Sequence, residues 1–271
     1  MEVIIKPIKG FLNLDLKELW RFRELLLFLS WRDIKVRYKQ TSIGIIWAVL
    51  QPILTMVVFT VVFGRVAGVK SGVIPYPIFV YSGLLFWNYF SNSLSIASNS
   101  LVAEQNIIQK VYFPKIIIPL ASTLVFLLDF FFASFILAGL MIYYHFSPSL
   151  MGILLVIPSL IITFLTFSGL GLIFSSINVK YRDVRYALPF FIQLLIFLTP
   201  VIYPPSMLGK YEWILYFNPM SGVIETMRAG LLSAGGINWS VFGFSALLSI
   251  LLFVFGLVYF NKSERFFADI I

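Results

Sequence analysis

The chain has no cysteine and a single histidine, and those two shortages remove large classes of chemistry. Without thiols there can be no disulfide and no thiolate nucleophile or metal ligand. His145 alone cannot build a multi-histidine metal site. Charge is scarce as well, at 12% of 271 residues. No G-x-x-x-x-G-K-[ST] phosphate loop occurs anywhere, so no nucleotide-cradling site of that kind is present in the sequence. Asp129 is the one carboxylate inside an apolar run, and neither it nor His145 has an evident acid–base partner in the sequence, which argues against an embedded enzyme.

What the chain does have is apolar surface. It is 60% hydrophobic, with a mean hydropathy of +0.95. About 20 consecutive apolar residues cross a bilayer as a helix, and this chain carries several such runs. Backbone groups in lipid must bond within their own segment, so helices are expected. A membrane barrel would alternate residue by residue, and these runs do not. The reading is an all-α membrane protein, one transmembrane domain over residues 1–271, with six transmembrane helices: Ile43–Phe63, Pro77–Ile96, Ile116–Tyr143, Leu150–Ile177, Pro189–Tyr203 and Trp239–Phe260.

The distribution of basic residues orients that bundle. With both termini cytoplasmic, the inner side receives 16 of the 20 Lys and Arg residues, as the positive-inside rule requires. The outer side receives Arg65, Lys70, Lys210 and Arg228. The net charge of +8 therefore reads as topology and not as nucleic-acid binding. Lys6, Lys9, Asp15, Lys17 and Glu18 scatter through the first residues with no signal-peptide pattern. Residues 1–42 are expected to form a cytoplasmic interface helix and anchor, 43–260 the bundle, and 261–271 a cytoplasmic tail.

In the N-terminal segment Leu16, Leu19, Phe22, Leu26 and Leu29 recur at helical spacing, opposite Lys17, Arg21 and Glu24. This predicts an amphipathic helix at the inner interface, with its basic residues among headgroups; a helix packed on a partner is the alternative. Trp31, Arg32, Lys35, Arg37, Tyr38 and Lys39 follow as an anchor of rings and snorkelling cations.

Two short charged segments, Glu104–Lys115 and Asn178–Arg185, interrupt the apolar runs on the inner side, and each leads through a proline into the next span. The fifth span is crowded at its outer end by Pro200, Pro204 and Pro205. Beyond it, Ser206–Asn238 is too long for an ordinary connection. Asn218-Pro219 reads as a cap and first turn, and Gly235-Gly236 as a stop. A pair of short re-entrant or outer helices is expected there, either an outer gate or a fixed cap.

Several segments resemble one family, the membrane permeases of type-2 ABC exporters that carry polysaccharides such as O-antigen, capsule and teichoic acid. The run from Trp31 to Pro52, WRDIKVRYKQTSIGIIWAVLQP, resembles its N-terminal signature. NVKYRDVR, from Asn178 to Arg185, resembles its second cytoplasmic loop. Asn218-Pro219 with Glu225 and Arg228 resembles its outer segment, and Glu264 to Asp269 its terminus. The resemblance implies a homodimer of permeases in the cytoplasmic (inner) membrane, enclosing a channel for a lipid-linked polysaccharide. It also implies two cytoplasmic ATPase subunits, which would bind the ATP and Mg that this chain does not.

On that resemblance the ATPase-coupling residues would be Glu104, Gln105, Lys110, Asn178, Arg182, Asp183 and Arg185; solvated turns with topogenic charge are the plainer alternative. Asn218, Pro219, Glu225 and Arg228 would belong to the outer gate. Aromatics are 18% of the chain. Phe79, Phe86 and Phe90 share a helical face in the second span, with Trp87, Tyr89 and Asn92 near them. These rings would either line the channel, where sugar faces can slide over them, or pack between helices. Ser91, Asn92, Ser93, Ser95, Ser98, Asn99 and Ser100 make the inner end of that span polar, for a wet lumen or for close interhelical bonding. Asp129 is expected to be structural, protonated or bonded to a neighbouring helix. A proton-driven flippase and a permease for a drug or small lipid are the rival functions.

Overall fold

The computed structural model describes residues 16–39, 44–233 and 235–270. Lys6, Lys9 and Asp15 of the first segment, Gln40, Thr41 and Ser42 of the signature run, and Ile43 at the expected start of the first span lie outside the described residues, as do the side chains of Leu16 and Asp269. Among the described residues every regular element is helical. In chain order they are α1 (Leu16–Arg21), α2 (Arg23–Lys39), α3 (Gly44–Phe59, prolonged by a π-helical turn Thr60–Val66), α4 (Tyr76–Ala103), α5 (Gln105–Lys110), α6 (Ile117–Tyr143) and α7 (Leu150–Lys180). There follow α8 (Val184–Leu195), a 3-10 segment Pro205–Phe217, α9 (Pro219–Leu231) and α10 (Trp239–Ile270).

Helix α4 is the axis of the bundle. Ile78, Tyr81, Leu84, Phe86, Leu94 and Leu101 are all fully buried on it, packed by α3, α6, α7 and α9. Helix α7 lies between α4 and α10. The α7–α10 crossing is close because Gly169 and Gly256 face each other; a Cβ on Gly169 would sit 2.6 Å from the Leu252 carbonyl carbon. The Thr166 and Ser249 hydroxyls bond across the same seam at 2.8 Å. Small residues that let backbones approach are the usual means of helix association in lipid, where no hydrophobic drive exists between helices.

Among the described residues four helices are long and apolar enough to cross a membrane: Ile46–Val66, Ile117–Tyr143, Leu150–Lys180 and Trp239–Arg265. They answer to the expected first, third, fourth and sixth spans. The second is present as α4, whose 28 residues reach about 42 Å at 1.5 Å per residue, but the serines and asparagines of its inner half dilute its apolar character. The fifth, expected over Pro189–Tyr203, is α8 with 12 residues. It starts earlier and stops at Leu195, and at about 18 Å it falls short of a hydrocarbon core of about 30 Å. Its outer continuation, residues 196–203, is a series of turns.

The apolar stripe of the N-terminal segment faces protein: Leu29 is buried, and Leu19, Phe22, Leu25 and Leu26 pack on a core that includes Ile117, Ala121 and Phe260. Helix α2 then runs alongside α6, with the Ser30 hydroxyl donating to the Ala121 carbonyl at 3.1 Å and the Tyr38 ring meeting Phe132 edge-on. The residues taken for a tail continue α10 without a break to Ile270. Helix α9 ends at Leu231, with the Leu232 N–H on the Arg228 carbonyl, before the glycine pair at 235 and 236. The pair of short elements before it, and the Asn218 cap with Pro219 at the first turn, are as expected.

Candidate functional site

Three polar constellations stand out, one at each end of the bundle and one at mid-depth. At one end of the bundle, α4 breaks at Glu104, where the backbone leaves helical geometry (φ −101°, ψ 20°) before α5 resumes. Arg32 on α2 donates to both Glu104 carboxylate oxygens and to Asp33. The hydrogen bond to Glu104 holds its guanidinium above the ordinary arginine value, against the lowering effect of partial burial. Glu104 is thus engaged within the chain, while Gln105 and Lys110 are exposed. The segment's exit is tied down too: the Lys115 N–H donates to the Glu264 carboxylate at 3.3 Å, and its ammonium lies over the Phe267 ring.

The second charged segment is a turn, not a helix of its own. Asn178 and Lys180 finish α7, and α8 starts at Val184. Asn178 is buried, donating to the Ser98 carbonyl at 3.0 Å and to Asn99 Oδ1 at 3.1 Å. It fixes the end of α7 to the polar inner half of α4, leaving Arg182, Asp183 and Arg185 exposed. Val102, Gln105, Asn178, Arg182 and Arg185 together line an open cavity of about 170 Å³. Residues from both charged segments, distant in sequence, share that cavity. Arg185 lies over the Tyr186 ring, and Arg182 and Asp183 make no side-chain bond among the described residues.

At the opposite end, Arg228 on α9 is buried and, among the described residues, makes hydrogen bonds only to backbone carbonyls. Its Nε and Nη2 donate to Phe79 at 3.1 and 3.0 Å, Nη2 to Val201 at 2.7 Å, and Nη1 to Pro200. The guanidinium carbon sits 3.6 Å from the centre of the Phe79 ring. Gly83 makes the space: a Cβ there would come 2.7 Å from Arg228 Nη2. Asn218 caps α9 through the Met220 N–H at 3.0 Å and donates to the Thr199 hydroxyl at 2.7 Å. The Tyr76 hydroxyl donates to the Ile202 carbonyl at 2.7 Å. These bonds fasten α9 and the start of α4 to the turns after α8, and so satisfy turn carbonyls that have no helical partners. Glu225 is half-buried on α9, on the turn before Arg228.

At mid-depth, Asp129 of α6 accepts from Arg37 at 2.7 Å and from the Tyr38 hydroxyl. The bonded alternative for this carboxylate holds, and its partner is a cation the sequence had suggested as a headgroup anchor. An isolated intramembrane carboxylate calls for such a partner; the sequence did not show that α2 climbs far enough to supply it. Arg37, Gln51, Asn88, Asn92 and Asp129, with Tyr89, Phe126 and Phe130, border a cleft with about 30 Å³ of free volume. Gln51 and Asn88 are further polar residues that the sequence did not mark.

Phe79, Phe86, Trp87, Tyr89 and Phe90 are all buried within the chain, at 1–4% exposure. Phe86 and Tyr89 meet Phe130, Tyr89 also meets Phe167, and Trp87 meets Phe90, with ring centres 5.0 to 5.7 Å apart. In this chain they pack between helices, and of the expected channel residues Tyr89 and Asn92 border open space.

Residues 24–232 match the family described as ABC-2 type transporter. Over 254 residues the chain is 32% identical to the O-antigen export system permease protein RfbA of Klebsiella pneumoniae, spanning 92% of this chain and 95% of that protein. The protein of the same name in Myxococcus xanthus is 29% identical over 217 residues, 79% of this chain and 82% of the relative. The polysialic acid transport protein KpsM of Escherichia coli is 25% identical over 244 residues, 86% and 91%.

Proposed function

Because the chain belongs to the ABC-2 type transporter family, we propose that it is the membrane permease of an ATP-driven exporter that moves a lipid-linked polysaccharide, of the O-antigen kind, across the inner membrane. The likeness over almost its whole length to permeases named for O-antigen export carries the substrate class. The cavity shared by the two charged segments carries the mechanism. A separate ATPase pressing on Gln105, Lys110, Arg182, Asp183 and Arg185 would move α4, α7 and α8 together, because Asn178 and Arg32 tie these junctions to the bundle without slack.

On this reading two copies enclose the channel, two ATPase subunits hold ATP and Mg, and both termini are cytoplasmic. Helix α4 is the second crossing, and α8 with the turns at 196–203 the fifth, giving six. Asn218, Pro219, Glu225 and Arg228 hold the outer gate, whose position the Arg228 bonds set. The bonds from Arg37 and Tyr38 to Asp129 support a structural role for this carboxylate, as a tie between α2 and α6. Removing the chain from its host tests the proposal. Lipid-linked glycan is expected to accumulate on the cytoplasmic face and vanish from the cell surface; unchanged surface glycan contradicts it.

A further inference from the structure

The cleft beside Arg37 and Asp129 has a composition that helix packing does not explain. Four helices send polar side chains to it: Arg37 from α2, Gln51 from α3, Asn88 and Asn92 from α4, and Asp129 from α6. Arg37 and Asp129 bond to each other. The side-chain amides of Gln51, Asn88 and Asn92 form no hydrogen bond among the described residues. Asn88 lies about 18 Å along α4 from its outer start, and Asp129 about 18 Å along α6 from its inner start. Both are therefore near mid-depth, where an unbonded amide is costly and calls for water or a ligand.

Each amide both donates and accepts, and so does each hydroxyl of a sugar. Tyr89, Phe126 and Phe130 form the apolar wall of the same cleft, buried between helices. The free volume of about 30 Å³ is room for a water or two, hence for one hydroxyl or hydroxymethyl group and not for a whole ring. A polymer in transit needs contacts weak enough to leave, and a niche of that size provides them.

We propose that Gln51, Asn88 and Asn92, beside the Arg37–Asp129 pair, form a contact site for hydroxyl groups of the glycan in transit. It admits one such group at a time. The inference rests on the polysaccharide reading above and adds where in this chain the sugar is touched.

The absence of cysteine gives a clean test. In the complex with its ATPase, held in lipid nanodiscs, Asn92→Cys or Gln51→Cys is labelled with a water-soluble methanethiosulfonate, with and without a neutral mannose hexasaccharide. At a hexasaccharide concentration twice its Kd, labelling at either position should slow about threefold. Val73→Cys, in the fully exposed outer turn, should label at one rate throughout. Equal rates at positions 92 and 51 with and without sugar overturn the site. Gln51 is exposed, so Gln51→Cys serves if Asn92→Cys does not fold. ATP-driven glycan export by the unsubstituted complex reports separately on the reading beneath: export with unprotected thiols removes the site alone, and no export removes the polysaccharide reading.

Discussion

Arg37 on α2 and Asp129 in the middle of α6 are joined by an ion pair at 2.7 Å, with the Asp129 side chain 14% exposed and that of Arg37 39%. The pair pins α2 to the middle of α6. Asp129→Ala leaves Arg37 without this counter-charge. We expect a loss of about 2–3 kcal/mol, at or below the low end for a broken buried pair because Arg37 is partly open to solvent. The exchange Arg37→Asp with Asp129→Arg should recover most of it. Thermal unfolding of the three proteins in one detergent checks both outcomes.

Arg228 should be less replaceable still. Of its three carbonyl partners, Phe79 also accepts from the Ser82 hydroxyl at 2.8 Å, but Pro200 and Val201 have no other donor among the described residues, and an unsatisfied buried group costs about 1–3 kcal/mol. Arg228→Met is expected to expose the outer segment to protease, with cleavage around residues 205–217. Arg228→Lys should be intermediate, since an ammonium lacks the planar fork that bridges separated carbonyls. Wild-type resistance in Arg228→Met would contradict the clamp.

The glycine seams make a third prediction. A Cβ on Gly230 would lie 2.6 Å from Gly152 Cα, and one on Gly169 would lie 2.6 Å from the Leu252 carbonyl carbon. Backbone cannot yield as a flexible side chain can, so Gly169→Val and Gly230→Val are each expected to cost about 1–3 kcal/mol or more. Gly139→Val, with open space around it, should be near neutral. Unfolding midpoints of the three variants in one detergent decide it.

At the inner end, Arg182→Glu and Arg185→Glu alter exposed side chains and should leave the melting temperature unchanged. They are expected to uncouple ATP hydrolysis from export, with hydrolysis retained and export reduced about tenfold, which corresponds to about 1.4 kcal/mol of lost interaction. Asn178→Ala acts differently, because Asn178 is buried and bonded to α4: it should lower stability and coupling together. Hydrolysis, export and melting measured on one preparation separate the two classes.

The sequence carried the helical class, the order of the elements and the cap at Asn218-Pro219, because apolar run length and proline placement act locally. It carried the two charged segments as well. It did not carry which helices meet. A 3.6-residue stripe on α1 and α2 marks an apolar face without naming its partner, and that partner is the core around α6. Arg37 and Asp129 are 92 residues apart, so neither residue's neighbours announce the pair. Asn178 reads as one more polar residue in a charged loop until α4 is laid beside it. The end of α9 was misplaced because glycine is only the commonest stop: here Leu232 takes a capping bond to the Arg228 carbonyl and Ser233 adopts φ 51°.

The account turns on an engine outside this chain, pressing where Gln105, Arg182 and Arg185 share one cavity. Uptake of lipid-linked glycan into sealed vesicles, with the permease alone and with its ATPase, tests that most directly. Accumulation against a gradient is predicted only when the ATPase and ATP are both present. Sustained accumulation by the permease alone, with no nucleotide supplied, would contradict it.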